Sequence, residues 1–227
     1  MRHKSPISFN ADEHLQLKTN LLQLPRNEDF YPKIVESYNE IASQEREFKA
    51  AVGNLLHEFF ESHSRAKSTI PLHLRLEKIE GYWRRTLKKE TINTPMIDTN
   101  IELMKELTTR TLTGSNAWIF DPCLKESSNE LTIITRENIS LTKNSAWFER
   151  NYIVDRSFID ENEVRWVIDY KTSIKPEDQS EESFIATLET AHSAQLQKYA
   201  NLFSDFEDRP IKKAIFAISL NKLIFLK

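Results

Sequence analysis

Apolar positions along the chain follow the period of a helix first and that of a strand later. From Glu36 they recur at helical spacing in three segments, and the second and third segments follow Pro71 and Pro95. Proline suits the first turn of a helix, so three amphipathic helices are predicted. The stripe of the first helix comprises Ile41, Phe48, Val52, Leu55, Leu56 and Phe59. Residues 1–35 show no sustained period and are predicted to form a lead-in or linker.

The later part of the chain predicts strands. Segments 131–135, 151–159 and 164–171 are rich in β-branched and aromatic residues, whereas 121–130 is predicted to be a polar loop. Residues 183–206 return to helical spacing with an apolar stripe of Phe184, Leu188, Leu202 and Phe206, and two closing strands are predicted at 211–220 and 223–226. This order predicts an α/β fold with a mixed central sheet flanked by helices. The predicted domain, 36–227, comprises a helical part (36–112) and a sheet-and-helix core (113–227).

Composition then excludes several classes of protein. The 227 residues include three widely separated glycines, whereas phosphate-binding loops and the nucleophile elbow of serine hydrolases need clustered ones. We therefore expect no nucleotide site. A single cysteine, Cys123, predicts no disulfide, zinc cage or iron–sulfur cluster. No apolar stretch approaches the roughly 20 residues of a membrane span, so a cytoplasmic protein without a membrane partner is expected.

Two carboxylates stand on the strands around residue 162. If the turn occupies residues 161–163, Asp155 lies opposite Asp169, and strand alternation places both on one face with Ile153, Val167 and Lys171. Lys171 can neutralise one of the two charges, and Mg²⁺ would compensate for the other. A solvated hairpin whose charges face water is the alternative. A slip of one residue in the register would move Asp155 to the opposite face.

Three further polar residues stand at unusual positions on the predicted helices. Gln195 and Tyr199, four residues apart, project from the middle of the apolar stripe of helix 183–206. They either form a satisfied pair in the core or hold Lys171 or a phosphate. His57 lies on the side of the first helix opposite its apolar stripe, so it faces either water or a cleft. Three other histidines, His63, His73 and His192, are predicted to be surface or packing residues.

Four short motifs follow one another along the chain. They are VGNLLHEFFE with Gly53, His57 and Glu61, then YIVDR with Asp155, then WVIDYKTS with Asp169 and Lys171, and finally QLQKY from Gln195 to Tyr199. In this order they resemble the RecB-like nuclease domain of the PD-(D/E)xK superfamily, as found at the C-terminus of UvrD-like, AddA-type helicase–nucleases. The resemblance spans roughly residues 45–220. It departs at Tyr152, where the family commonly has glycine.

The resemblance implies a restriction-endonuclease-like core and a metal-dependent DNA nuclease, in particular an exonuclease in recombination and repair. It implies Mg²⁺, or alternatively Mn²⁺, held by His57, Asp155, Asp169 and the backbone carbonyl of Tyr170. The catalytic residues it implies are Asp155, Asp169, Lys171, Gln195 and Tyr199. Candidate DNA contacts are Arg156, Thr172 and Lys175.

The resemblance also implies partners. The substrate would be DNA, single-stranded where it passes the site, although the net charge of −3 means that nucleic acid needs a local basic groove. A helicase domain would act in the same full-length chain or as a partner subunit, because the lead-in resembles the segment that joins helicase to nuclease. The alternative is a catalytically inactive DNA-binding or scaffolding module of the same fold.

Overall fold

Residues 31–65, 67–91, 93–141 and 144–227, which the computed structural model describes, form four helices and five strands. The helices are α1 (Tyr31–Arg65), α2 (Leu72–Glu90), α3 (Thr94–Thr113) and α4 (Glu181–Ser204). The strands are β1 (Lys125–Leu141), β2 (Asn144–Ile159), β3 (Arg165–Lys171), β4 (Ile211–Ala217) and β5 (Lys222–Leu226). None of the described helices combines the length and the apolar composition that crossing a bilayer requires.

Packing divides the chain into two units at a point within α1. The second unit, Glu47–Lys227, contains the whole sheet and α2 to α4. The described part of the first unit, residues 31–46, is the N-terminal part of α1. The helix therefore begins at Tyr31, before the predicted start at Glu36. The rest of the predicted lead-in, residues 1–30, lies outside the described residues, and the predicted domain boundaries stay a prediction.

The five strands form one mixed sheet in the order β1-β2-β3-β4-β5. β3 and β4 run parallel, and every other neighbouring pair is antiparallel. α4 connects β3 to β4, because parallel neighbours need a crossover rather than a tight turn. The predicted α/β architecture, a mixed central sheet flanked by helices, is confirmed.

Alternate residues of β3 face two separate cores. Trp166, Ile168 and Tyr170 pack with α1, α2 and α3, whereas Val167 packs with α4. Apolar burial on both faces stabilises the sheet by roughly 1.5–3 kcal/mol for each large side chain. β3, buried almost throughout, therefore provides a rigid support for residues at its C-terminal end.

The buried face of α4 differs from the predicted stripe near its end. Leu196, Tyr199 and Phe203 continue the buried face from Phe184 and Leu188, and Leu202 is only half-buried. Phe206 is 80% exposed. The prediction is wrong at these two positions because the helix ends at Ser204 and its core-facing side is set by the sheet beneath it.

The first two strands are longer than predicted. β1 begins at Lys125, inside the predicted polar loop, and β1 and β2 together form a hairpin that extends beyond their pairing with β3. Its outer part lacks clean apolar alternation, since residues such as the cross-strand pair Arg136 and Glu149 face solvent. Backbone pairing, which the apolar pattern does not show, maintains these strands. The first of the two predicted closing strands, 211–220, ends at Ala217, and the chain continues as a short 3₁₀ helix.

Candidate metal centre

The predicted register of β2 and β3 is confirmed. Arg156 pairs with Ile168 and Ile159 pairs with Arg165, and this register puts Asp155 opposite Asp169 one step beyond the ladder. At that step the Asp155 carboxylate, through Oδ2, accepts a hydrogen bond from the backbone N–H of Tyr170 at 2.7 Å. A side chain thus takes the place of a backbone acceptor, which anchors Asp155 to β3.

The prediction that Ile153 shares a face with Val167 is wrong. Val154, not Ile153, packs with Val167 on the α4 side, and Ile153 is 48% exposed. Strand alternation is interrupted at Asp155: the β1–β2 ladder pairs Asn129 with Arg156 and Leu131 with Val154 in one register, but Glu130 and Asp155 between them do not pair. Glu130 has a positive φ of 47°, a conformation that few residues other than glycine adopt. This irregularity turns Glu130 and Asp155 towards α1.

Three potential metal ligands converge between α1 and the sheet. The ligand atoms of His57, Glu130 and Asp155 all lie within 4.8 Å of one another. Nδ1 of His57 is 3.8 Å from Oδ2 of Asp155 and 3.9 Å from Oε1 of Glu130. His57 therefore faces a cleft, the second of the two alternatives, and the edge of its ring packs against Tyr170.

Glu130 is absent from the predicted ligands, although it belongs to this group. The only sequence signal is an acidic residue directly before the apolar run LTIIT. Its role depends on the β1–β2 pairing and on its positive φ. Neither feature can be inferred from local periodicity.

Asp169 and Lys171 form a buried ion pair beside this group. The Asp169 side chain is 4% exposed, and its Oδ2 lies 2.7 Å from Nζ of Lys171, which is 22% exposed. Among the described residues, Oδ2 has no partner with hydrogen-bond geometry. Asp169 lies outside the group of three, but its charge acts on both His57 and Asp155. Asp169 as a metal ligand therefore stays a prediction.

Burial and like charges shift the pKa values of the three converging residues. Burial raises the pKa of Asp155 to about 7, and the charge of Asp169 adds to the increase. Burial also raises the pKa of Glu130, with a further contribution from Glu61. The pKa of His57 is lowered, mainly by burial, while Asp169 opposes the shift. The metal-free site therefore concentrates carboxylates whose negative charge is poorly compensated.

α4 adds a polar group in which His192 and Tyr199 are both influenced by the charge of Asp169. Nε2 of Gln195 donates to the hydroxyl of Tyr199 at 2.7 Å, so this predicted pair does meet. Burial lowers the pKa of His192, predicted to be a surface or packing residue, and the Lys171 charge lowers it further. Tyr152, at the family's usual glycine position, packs its ring against Tyr199 rather than facing the three converging ligands.

The predicted DNA contact of Arg156 is wrong. Its side chain is fully buried. Nε donates to the carbonyl of Ile119 at 2.9 Å, and a terminal nitrogen donates to the carbonyl of Asp121 at 3.1 Å. A guanidinium enclosed by backbone carbonyls cannot reach a phosphate outside. The sequence shows the charge but not the distant loop that encloses it.

Thr172 and Lys175 both lie just after β3, and the side chain of each contacts other residues of the chain. Thr172 lies against α1, where a Cβ built on Gly53 would be 2.9 Å from its Oγ1. Lys175 donates to the backbone carbonyls of Pro176 at 3.0 Å and Gln179 at 2.7 Å. DNA contact by these two residues stays a prediction.

Among the described residues, His57, Glu130 and Asp155 thus form a group that could hold a metal ion beside the Asp169–Lys171 pair, on a mixed sheet flanked by helices. The chain matches the model of the PD-(D/E)XK nuclease superfamily over residues 27–223, and it belongs to that superfamily. A search of curated proteins gives no match. Among solved structures the chain is similar to the crystal structure of SSO0001, with 17% identity, 77% of this chain and 75% of that chain covered, and a TM-score of 0.29.

Proposed function

We propose that this chain is a metal-dependent nuclease that hydrolyses phosphodiester bonds in DNA. The observation that supports this most directly is the convergence of His57, Glu130 and Asp155 next to the Asp169–Lys171 pair. Superfamily membership supports nuclease activity in general. DNA as the substrate comes from the motif resemblance.

The residues present fit a divalent cation. One imidazole nitrogen and two carboxylates form a mixed, oxygen-rich donor set that suits Mg²⁺ or Mn²⁺. A cation would also offset the repulsion that, with burial, raises the pKa of Asp155. Asp169 and the backbone carbonyl of Tyr170 are the further donors that the resemblance predicts. When bound, such a cation polarises the phosphate and lowers the pKa of its bound water.

The chain's own residues would orient the reacting groups. Lys171, which is 22% exposed and ion-paired with Asp169, can donate hydrogen bonds to a phosphate oxygen or to the attacking water. The Gln195–Tyr199 pair holds the Gln195 amide at an exposed position where it can contact the same phosphate. Asp155 is buried and accepts a hydrogen bond from the Tyr170 N–H, so its carboxylate is held in one position.

The motif resemblance supports narrower proposals as well. We propose RecB-like exonuclease action on single-stranded DNA, in recombination or repair, with a helicase in the same full-length chain or in a partner subunit. The cytoplasmic location predicted from the sequence stays a prediction.

The test is cleavage of an end-labelled single-stranded oligodeoxynucleotide with Mg²⁺, with Mn²⁺ and with EDTA. Asp169→Ala, Lys171→Ala and Glu130→Gln should each lose at least a hundredfold in rate, since one preorganised charge contributes that much. Glu102→Gln, which alters an exposed acid on α3, is the matched control for Glu130→Gln and should cleave like the wild type. If the protein shows no metal-dependent cleavage, or if all variants cleave equally, the proposal that this chain is a nuclease is refuted. Retained DNA binding without cleavage would favour the inactive module.

A further inference from the structure

A groove of about 360 Å³ opens beside the candidate metal centre, between the C-terminal end of α1 and β1. Its lining includes Ser64, Arg65, Pro122, Ser127, Asn129 and Glu130. Glu130 belongs both to this groove and to the group formed with His57 and Asp155. The groove is therefore continuous with the proposed site of cleavage.

Buried Arg156 arranges one wall of the groove from beneath. A terminal nitrogen of its guanidinium donates to Oγ of Ser127 at 2.6 Å and to Oδ1 of Asn129 at 3.2 Å. Because Asn129 offers its carbonyl oxygen to Arg156, the NH₂ group of the same amide lies on the other side. Ser127, acting as acceptor towards Arg156, can still donate its own hydroxyl proton. Arg156 is thus a positioning residue for hydrogen-bond donors in the groove.

Arg65 adds an exposed positive charge at the groove. Its side chain is 69% exposed and is ion-paired with Glu61, one turn earlier on α1. An exposed pair of this kind is worth little, so the guanidinium can leave Glu61 for a phosphate at low cost. Pro122 supplies an apolar surface on which a base can pack. The lining therefore offers complementary groups to the phosphate, sugar and base of a nucleotide.

We propose that this groove binds one nucleotide of single-stranded substrate, adjacent to the phosphate that is cleaved, with Arg65 contacting its backbone. The proposal rests on the proposed nuclease function. Small-molecule sites have volumes of roughly 300–1,000 Å³, so this groove suits a single nucleotide and is far too small for a base-paired duplex. Among the described residues, Arg65 is the one cation in its lining, and a chain of net charge −3 needs local cations of this kind to bind a polyanion.

The experiment compares two substrates under steady-state conditions with Mg²⁺ or Mn²⁺. One is a single-stranded oligothymidylate, and the other is bis(p-nitrophenyl) phosphate, a diester with no neighbouring nucleotide. Arg65→Glu should raise KM for the oligonucleotide about fivefold or more, with kcat within about twofold. It should leave hydrolysis of the small diester unchanged. Arg65→Lys should keep most of the affinity for the oligonucleotide. In Arg65→Glu, the slope of the logarithm of the binding constant against the logarithm of salt concentration should fall in magnitude by about 0.7.

The control is Lys222→Glu, which reverses an exposed, ion-paired charge at β5, the opposite edge of the sheet from β1. It should change neither substrate's kinetics. Asn129→Leu tests the donor wall independently and should raise KM for the oligonucleotide alone. Unchanged KM in both groove variants, or an equal loss on both substrates, would overturn the proposal.

The two levels of proposal fail differently. If the wild type hydrolyses neither substrate, the nuclease proposal fails, but the groove is still tested by fluorescence anisotropy of a labelled oligothymidylate in EDTA. Arg65→Glu should then bind about fivefold more weakly than the wild type. A duplex of the same length should bind more weakly than the single strand. Equal binding by wild type and variant, or no preference for the single strand, would refute the subsite.

Discussion

Replacing Asp155 by asparagine should stabilise the metal-free protein at alkaline pH while abolishing metal-dependent activity. The Asp155 side chain is 14% exposed, and burial together with the charge of Asp169 raises its pKa to about 7. Asparagine is nearly isosteric and keeps an oxygen that can accept from the Tyr170 N–H. The substitution therefore removes the buried charge and retains the hydrogen bond.

The size of the effect follows from the pKa difference. The ordinary value for this carboxyl is 3.8 and the folded value is about 7, a difference of about three units. At about 1.36 kcal/mol per unit, ionising Asp155 costs the folded state at most about 4 kcal/mol above pH 7. The folded state binds the proton of Asp155 more tightly than the unfolded state does. The stability that this carboxyl contributes is therefore fully present below pH 4 and is lost as pH rises to about 7. The asparagine variant lacks this dependence.

The assay is urea unfolding of both proteins in EDTA at pH 5 and pH 8, followed by circular dichroism. From pH 5 to pH 8, the free energy of unfolding of Asp155→Asn should rise by about 2–3 kcal/mol relative to that of the wild type. Saturating Mg²⁺ or Mn²⁺ should then stabilise the wild type far more than the variant, by about 2.7 kcal/mol at a hundredfold excess over Kd. A variant less stable than the wild type at pH 8 in EDTA, or the same difference at both pH values, would refute the reasoning.

Three other substitutions test the surrounding structure. Arg156→Met should lower the free energy of unfolding by about 2–4 kcal/mol, because it leaves buried carbonyls unpaired; urea unfolding at wild-type level would contradict this. Gly53→Ala adds a Cβ 2.9 Å from Oγ1 of Thr172. The overpacking should cost roughly 1–3 kcal/mol, which outweighs the gain of about 1 kcal/mol in helix propensity. The variant should therefore have a lower free energy of unfolding and a lower kcat. The double variant with Thr172→Ala should recover both stability and kcat, and an additive double mutant would exclude this contact. Burial raises the pKa of Asp160, but hydrogen bonds, led by that from Trp166, lower it more, so the folded state favours the ionised carboxylate. Asp160→Asn should therefore lower the free energy of unfolding by about 1–2 kcal/mol at pH 7 and by progressively less below pH 4. A loss of stability that does not depend on pH would contradict this.

Much of the fold could be predicted from the sequence because it depends on neighbouring residues. Helix and strand periods placed the elements in their correct order, and the turn near residue 162 placed Asp155 opposite Asp169. The motif positions on α1, β3 and α4 were identifiable for the same reason. His57 and the Gln195–Tyr199 pair each follow from spacing along a single helix.

The composition of the site was decided by contacts between distant segments. Glu130 joins His57 and Asp155 because the β1–β2 alternation breaks there, and that break depends on how two strands pair. Arg156 is buried because carbonyls from the loop before β1, more than 30 residues earlier, surround it. Local spacing thus determined which element each residue occupies. Only the tertiary structure determined which polar residues converge on one point and which are enclosed, because long-range packing sets the local solvation and charge.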